Sequence, residues 1–334
     1  MEKRIRERYN QHILDEAMRR YDIAPGKIQE LDGYESFMYE FEREGASFIL
    51  RIGHSLRRSV PLIRGEVDWL NYLAQGGAGV HRAVNSRAGN LVELIDDGQG
   101  NHFLATAFVK ARGRHMDAAD ATPKLFERWG ALLGRMHALS KEYQPPNPAW
   151  KRPEWDDALM LEVERFVPPA QAQVLERFCD LMEHLEPLPR AAGSYGLIHQ
   201  DAHAGNFFVD DQGAITLFDF DDCCYSWYMN DIAIVLFYAV TQGTDAAQFT
   251  REFMPHFLTG YRRENALDPH WLGEIPHFLK LREIDLYAVI HRSFDVDQID
   301  NPWVKRYMSG RRERIENNTP YIDFDWESLT EYIR

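Results

Sequence analysis

The chain has 334 residues, enough for about two domains at roughly 150 residues each. Its 45% hydrophobic and 27% charged residues exclude a disordered, collagenous or coiled-coil polypeptide. With 38 Lys and Arg against 52 Asp and Glu, the net charge of −14 argues against a nucleic-acid binder, which works by neutralising phosphates. It suits a small cationic or zwitterionic ligand better.

The N-terminus is charged and has no apolar segment of the kind a secretory signal needs. Ile5, Tyr9, Ile13, Met18 and Tyr21 recur near helical spacing and predict a helix over the first twenty residues, ended by Pro25-Gly26. Two β-rich runs, 31–41 with Phe37, Tyr39 and Phe41 alternating and 46–52, flank Gly45 and predict a hairpin. Residues 62–75 read as a helix with Leu62, Val67, Leu70 and Leu73 inward, stopped by Gly76-Gly77. Residues 91–95 and 102–109 read as two more strands around Gly98 and Gly100. After Val109 the chain turns helical. Residues 124–139 carry Leu125, Trp129, Leu132, Leu133 and Met136 on one face, and 174–185 form another helix. Strands at 206–209 and 214–218 flank the turn Asp210-Asp-Gln-Gly213, and helices dominate again from 231 to about 292.

This pattern predicts an α+β protein of two lobes. Residues 1–109 form a sheet-rich N-terminal lobe with one long helix and an extra N-terminal helix. Residues 110–334 form a larger, mostly helical lobe. The longest apolar run, 232–240, is far short of the ~20 residues a membrane span needs. Three sparse cysteines, Cys179, Cys223 and Cys224, read as buried thiols of a reducing compartment. The expectation is a cytoplasmic protein with no membrane partner, monomeric or homodimeric.

The chemistry concentrates in residues 197–222. His199, Asp201 and Asn206 have the spacing His-x-Asp-x-x-x-x-Asn, and Asp219 stands at the end of the hairpin that Asn206 opens. In the kinase template such an Asp takes the acceptor hydroxyl's proton, while the Asn and the later Asp hold magnesium. Hard cations take oxygen ligands, only one or two from the protein, so Asn206 and Asp219 suit Mg2+ and leave Asp201 free for the acceptor. The metal-binding tripeptide reads Asp219-Phe-Asp221, with an acid in its third position.

With these motifs the sequence resembles the aminoglycoside phosphotransferase superfamily of kinase-like enzymes, which includes choline, homoserine and methylthioribose kinases. Its His-Gly-Asp-x-His-x-x-Asn stretch is matched by His199-Gln-Asp-Ala-His-Ala-Gly-Asn206, and its Asp-Phe-Asp by residues 219–221. The resemblance covers most of the chain. It implies a bilobal protein-kinase-like fold, ATP and Mg2+ as cofactors with GTP also open, and transfer of the γ-phosphoryl group to a hydroxyl of a small, in some cases amine-bearing, molecule. By resemblance Asp201 is the catalytic base, Asn206 and Asp219 are metal ligands, and Asp231 is the family's structural Asp.

In the N-terminal lobe, Gly33 belongs to the loop expected over the phosphates. Arg51 occupies the strand position where the kinase template has Lys, and Glu66 on the next helix is its natural partner. Arg keeps the charge but not the shape or reach of Lys. That departure motivates an alternative, a non-catalytic kinase-like binding protein. A second alternative is a metallohydrolase using His199, Asp201 and His203, which alternate along the chain. Asp222, Trp227 and Tyr228 follow the metal Asp directly and are candidates for the acceptor pocket, since aromatics with carboxylates suit an ammonium group. Glu283, Asp285, Trp155 and Asp156 are further candidates of the same kind.

Overall fold

The computed structural model describes residues 2–33, 35–241 and 245–334. These pack as two compact units, neither of which is one stretch of chain. The first holds Met1–His115, Glu142–Arg152 and Phe207–Asp221; the second holds Met116–Lys141, Pro153–Asn206 and Asp222–Arg334. A single cut after Val109 would assign residues 207–221 to the second lobe, whereas here they pack with the first unit.

The first unit is built on an antiparallel sheet in the order β1 (Ile28–Leu31), β2 (Phe37–Arg43), β3 (Ala46–His54), β6 (His102–Val109), β4 (Ala83–Val84), with β5 (Glu93–Asp96) also on β6. The expected hairpin is β2–β3, registered by pairs such as Met38 with Arg51 and Phe41 with Phe48. Its turn, Glu44-Gly45, has positive φ at both residues, the geometry that two-residue hairpin turns demand. The long helix runs Val60–Gln75, and Gly77, at φ +81°, follows its end. The predicted N-terminal helix is broken. Asn10 caps a helix at Gln11–Tyr21, its side chain accepting from the His12 N–H, so the regular part starts ten residues in. Ile13, Ala17 and Tyr21 of that helix join Phe41, Leu50, Ile52 and Phe103 in one core.

A second small hairpin, β8 (Phe207–Val209) with β9 (Ile215–Leu217), belongs to this unit. A Cβ at Gly113 would sit 2.1 Å from the Val209 carbonyl oxygen, so only glycine lets the segment that follows β6 pass β8 this closely.

The second unit is mostly helical: Pro123–Ser140, Ala172–Leu185, Tyr228–Val240, Ala246–Arg262 and Ile275–Ser293. Two strands that the sequence pattern does not announce, β7 (Tyr195–Ile198) and β10 (Cys224–Trp227), pair antiparallel in it. Helices Pro123–Ser140 and Ala246–Arg262 touch backbone to backbone. A Cβ at Gly130 would lie 1.8 Å from the Phe257 carbonyl oxygen, and one at Gly260 1.9 Å from that of Glu127. The α+β class, with an antiparallel-sheet unit carrying a long helix and a larger helical unit, agrees with the sequence reading. Cys223 and Cys224 are buried as expected, but Cys179 is exposed on its helix. Among the described residues no helix is long and apolar enough to cross a membrane.

Candidate active site

In the second unit, the end of β7 delivers His199, Gln200 and Asp201. The buried carboxylate of Asp231, on the first turn of the Tyr228–Val240 helix, shapes this loop. Its Oδ2 accepts the His199 N–H at 3.0 Å and its Oδ1 the Gln200 N–H at 2.9 Å. His137 Nε2 lies 3.1 Å from the same carboxylate and its Nδ1 2.9 Å from the Tyr261 hydroxyl. Burial lowers the His137 pKa, against the pull of Asp231. With the backbone held at both amides, Gln200 adopts φ +72°, unusual for a side-chain-bearing residue. His199 is fully buried, and its Nδ1 accepts the Asp201 N–H at 3.2 Å. It serves the turn.

Asp201 and Asn206 come together as the spacing predicts. A short 3-10 turn, Ala204–Asn206, brings Asn206 Nδ2 within 2.9 Å of both the Asp201 carbonyl oxygen and its Oδ2. With the amide nitrogen committed to Asp201, the amide oxygen is left to face elsewhere. His203 Nε2 lies 3.3 Å from Oδ2, and Arg282 donates to Oδ1 at 3.1 Å. Burial would raise the Asp201 pKa, but the charges of His203, Arg282 and His199 outweigh it and hold the carboxyl well below its ordinary range. Asp201 is therefore an ionised acceptor at neutral pH.

Arg282, on the Ile275–Ser293 helix, is the residue of this site that sequence reasoning missed. It also donates to the Tyr238 hydroxyl at 2.7 Å and to Asp285 at 2.8 Å. Asp285 is pushed up to about 6, chiefly by burial, with Arg282 opposing and Asp222 adding to the rise. The one sequence signal was a cluster of charges, Lys280, Arg282, Glu283 and Asp285, inside a run otherwise rich in Leu, Ile and Phe.

In the first unit, Arg51 and Glu66 meet as expected. Nη1 donates to Oε1 and Nη2 to Oε2, both at 2.8 Å, a two-pronged pair with Arg51 8% and Glu66 1% exposed. Arg51 Nε reaches the Thr106 hydroxyl at 3.3 Å, and the guanidinium lies 5.1 Å from the centre of the Phe108 ring. Burial alone would lower the Arg51 pKa, but Glu66, followed by Asp221 and Asp219, raises it above the ordinary value.

Asp219 sits at φ +67°, in the left-handed region that Asp tolerates better than most residues. Two residues on, burial is outweighed at Asp221 by Arg57, Arg58, Arg51 and Arg152, and its carboxyl is held far below the usual range. Arg57 pairs with both Asp221 and Glu35. Glu35 belongs to the β1–β2 loop, so Arg57 ties that loop to the Asp219 segment within this unit. Ser36, Arg51, Arg57, Arg58 and Asp221 line a pocket here. Gly33 lies in the same loop; a Cβ there would be 2.1 Å from the Ser36 carbonyl oxygen, so the turn requires glycine. Its neighbour Tyr34 is outside the described residues.

The aromatic acceptor candidates are core residues. Trp227 is fully buried against Trp155, Tyr195 and Phe278 and donates Nε1–H to the Pro189 carbonyl. Tyr228 is fully buried and stacks on His137. Glu283 is taken up by Lys280 and Arg311, and Asp156 pairs with Arg190. Among the described residues, the three side chains close enough to share a metal ion are His184, Glu274 and His277, not His199, Asp201 and His203.

The phosphotransferase enzyme family model matches residues 27–274, most of the chain. Amicoumacin kinase of Bacillus subtilis (strain 168) is 41% identical over 325 residues, 96% of either chain. A solved amicoumacin kinase in complex with AMP-PNP, Ca2+ and Ami has a TM-score of 0.93 and 41% identity, over 98% of this chain and 100% of that one. A microcompartment-associated aminopropanol kinase, at TM-score 0.73 and 23% identity over 92% of this chain and 98% of its own, shares the fold.

Proposed function

The chain belongs to the phosphotransferase enzyme family, and from that premise we propose that it moves the γ-phosphoryl group of ATP to a hydroxyl of a small, amine-bearing molecule, amicoumacin being the first acceptor to test. The observation that carries the reaction type is the ionised carboxylate of Asp201, held at both oxygens beside Asn206. The choice of acceptor is supported by the identity with amicoumacin kinase along the whole of both chains.

Asp201 orients the acceptor hydroxyl and receives its proton as the oxygen bonds to phosphorus. Asn206 offers an amide oxygen and Asp219 a carboxylate, the hard donors that Mg2+ takes. When bound, the ion would neutralise phosphate charge. Arg51 braces the nucleotide phosphates. Three of its five N–H groups are committed to Glu66 and Thr106, and each terminal nitrogen keeps one more. Gly33 permits the tight turn of the loop placed over the phosphates. In this reading residues 1–109 form the nucleotide lobe and 110–334 supply the catalytic and acceptor groups, with the hairpin of 207–221 packed on the nucleotide side. The His184–Glu274–His277 grouping and the burial of His199 speak against the hydrolase alternative.

The test is ADP release from ATP and Mg2+ with amicoumacin and a panel of hydroxylated amines, with GTP as the control nucleotide. Asp201→Asn is expected to lower turnover by about 100-fold or more while keeping the ATP-dependent rise in melting temperature. Asp219→Asn should lose the Mg2+-dependent part of that rise. Nucleotide binding with no ADP release for any acceptor would favour the non-catalytic reading. Unchanged turnover in Asp201→Asn would remove the assigned base.

A further inference from the structure

Resting on the phosphotransfer reading above, we propose that Arg282 is the positioning residue for Asp201, fixing its carboxylate so that the acceptor hydroxyl docks on Oδ1, the oxygen that the guanidinium holds.

The argument is an accounting of hydrogen bonds. An ionised carboxylate offers about four acceptor sites, two on each oxygen. At Asp201, Oδ2 faces two donors, Asn206 Nδ2 at 2.9 Å and His203 Nε2 at 3.3 Å. Oδ1 faces Arg282 Nη2 at 3.1 Å. Among the described residues, the lone pair left without a donor is therefore on Oδ1. A hydroxyl that gives up its proton to Asp201 arrives there and lies next to Arg282.

The guanidinium is itself held from three sides. Nη1 donates to Asp285 Oδ2 at 2.8 Å and Nη2 to the Tyr238 hydroxyl at 2.7 Å, and the Tyr238 ring centre is 5.2 Å from its central carbon. His203 packs on the other partner, its ring centre 4.4 Å from that of Tyr238. Asp285 alone, three residues along the same helix, would neutralise an arginine that served only to anchor the helix. Arg282 instead divides one guanidinium between that neighbour and a carboxylate 81 positions away in sequence. A single planar fork that touches Asp201, Tyr238 and Asp285 permits one orientation of the base. Lysine, a flexible point charge, cannot reproduce it.

The experiment compares wild type, Arg282→Ala, Arg282→Lys and Tyr238→Phe by ADP release with amicoumacin, with melting temperature measured alongside. Arg282→Ala is expected to lower kcat by about 100-fold, the scale of a base misplaced by about 1 Å, with the KM for ATP little changed. Guanidinium ion added to Arg282→Ala should restore part of the rate. Arg282→Lys should remain impaired and Tyr238→Phe should fall between it and wild type. If Arg282→Ala is too unstable to assay, Arg282→Lys carries the comparison. Wild-type kcat in a folded Arg282 variant overturns the inference, as does a rate loss that follows melting temperature and ignores guanidinium. If wild type itself turns over no acceptor, the phosphotransfer reading fails and this assignment falls with it.

Discussion

Replacing Glu66 by Gln isolates the buried pair that braces the first unit. The side chain keeps its shape but loses its charge, and one prong of the fork then faces an amide NH2 with an N–H of Arg51. The guanidinium stays protonated, because arginine is too basic to lose its proton in a folded protein, and Asp221 and Asp219 are left as its counter-charges. Removing one partner of a buried ion pair costs about 3–5 kcal/mol. Arg51 keeps 8% of its surface exposed, which points to the lower end. At about 2–4 °C per kcal/mol, a loss of about 3 kcal/mol lowers the melting temperature by about 6–12 °C. Arg51→Lys keeps the charge and loses the second prong, a smaller cost of about 1 kcal/mol. The double variant Arg51→Met/Glu66→Leu should cost less than either single change at these positions, because it leaves no orphaned charge. Urea titrations followed by circular dichroism, completed as a double-mutant cycle, measure all of these. A Glu66→Gln protein within about 0.5 kcal/mol of wild type, with no coupling in the cycle, would refute the reasoning.

Two further outcomes concern stability. At Asp97 burial would raise the pKa, but backbone N–H groups of Asn101 and Gln99, then Arg8 and His54, outweigh it and hold the carboxyl far below its usual range. The unfolded chain therefore takes up this proton at higher pH than the native one. The stabilisation is complete above the unfolded pKa of about 4 and is lost as pH falls below it. Asp97→Asn should melt lower than wild type at pH 7, with the gap closing towards pH 2; an equal gap at both would count against it. Gly130→Ala places a methyl 1.8 Å from the Phe257 carbonyl oxygen. Separating the two helices should cost about 1–3 kcal/mol despite alanine's better helix propensity, and a melting temperature at or above wild type would show that the contact yields.

Much of the architecture was legible because it is encoded over a few residues. Alternating aromatics around Glu44-Gly45 specify β2–β3. The apolar stripe of residues 124–139 specifies its helix, and only the terminal residues differ from the observed Pro123–Ser140. Asp201 and Asn206, five positions apart, need one short turn to meet. Arg51 and Glu66 lie on consecutive elements, so the charge pair follows once strand and helix are recognised.

What the sequence left open depends on groups far apart in the chain. Nothing local to Arg282 says that it will reach Asp201, nor to Asp231 that its two oxygens will hold the amides of His199 and Gln200. Trp227 and Tyr228 have the composition of an ammonium pocket, and the pairing of β10 with β7 turns them into core instead. Residues 207–221 follow the Asp201 loop in sequence, yet their hairpin packs with the first unit, where the Asp221 carboxylate meets Arg57. Periodicity, turn residues and charge spacing by themselves determined most of the elements, the Asp201–Asn206 pairing and the Arg51–Glu66 pair. The tertiary structure decided which carboxylates stay within reach of solvent beside Asn206 and which hold the backbone, because burial and long-range partners are settled only when the chain closes on itself.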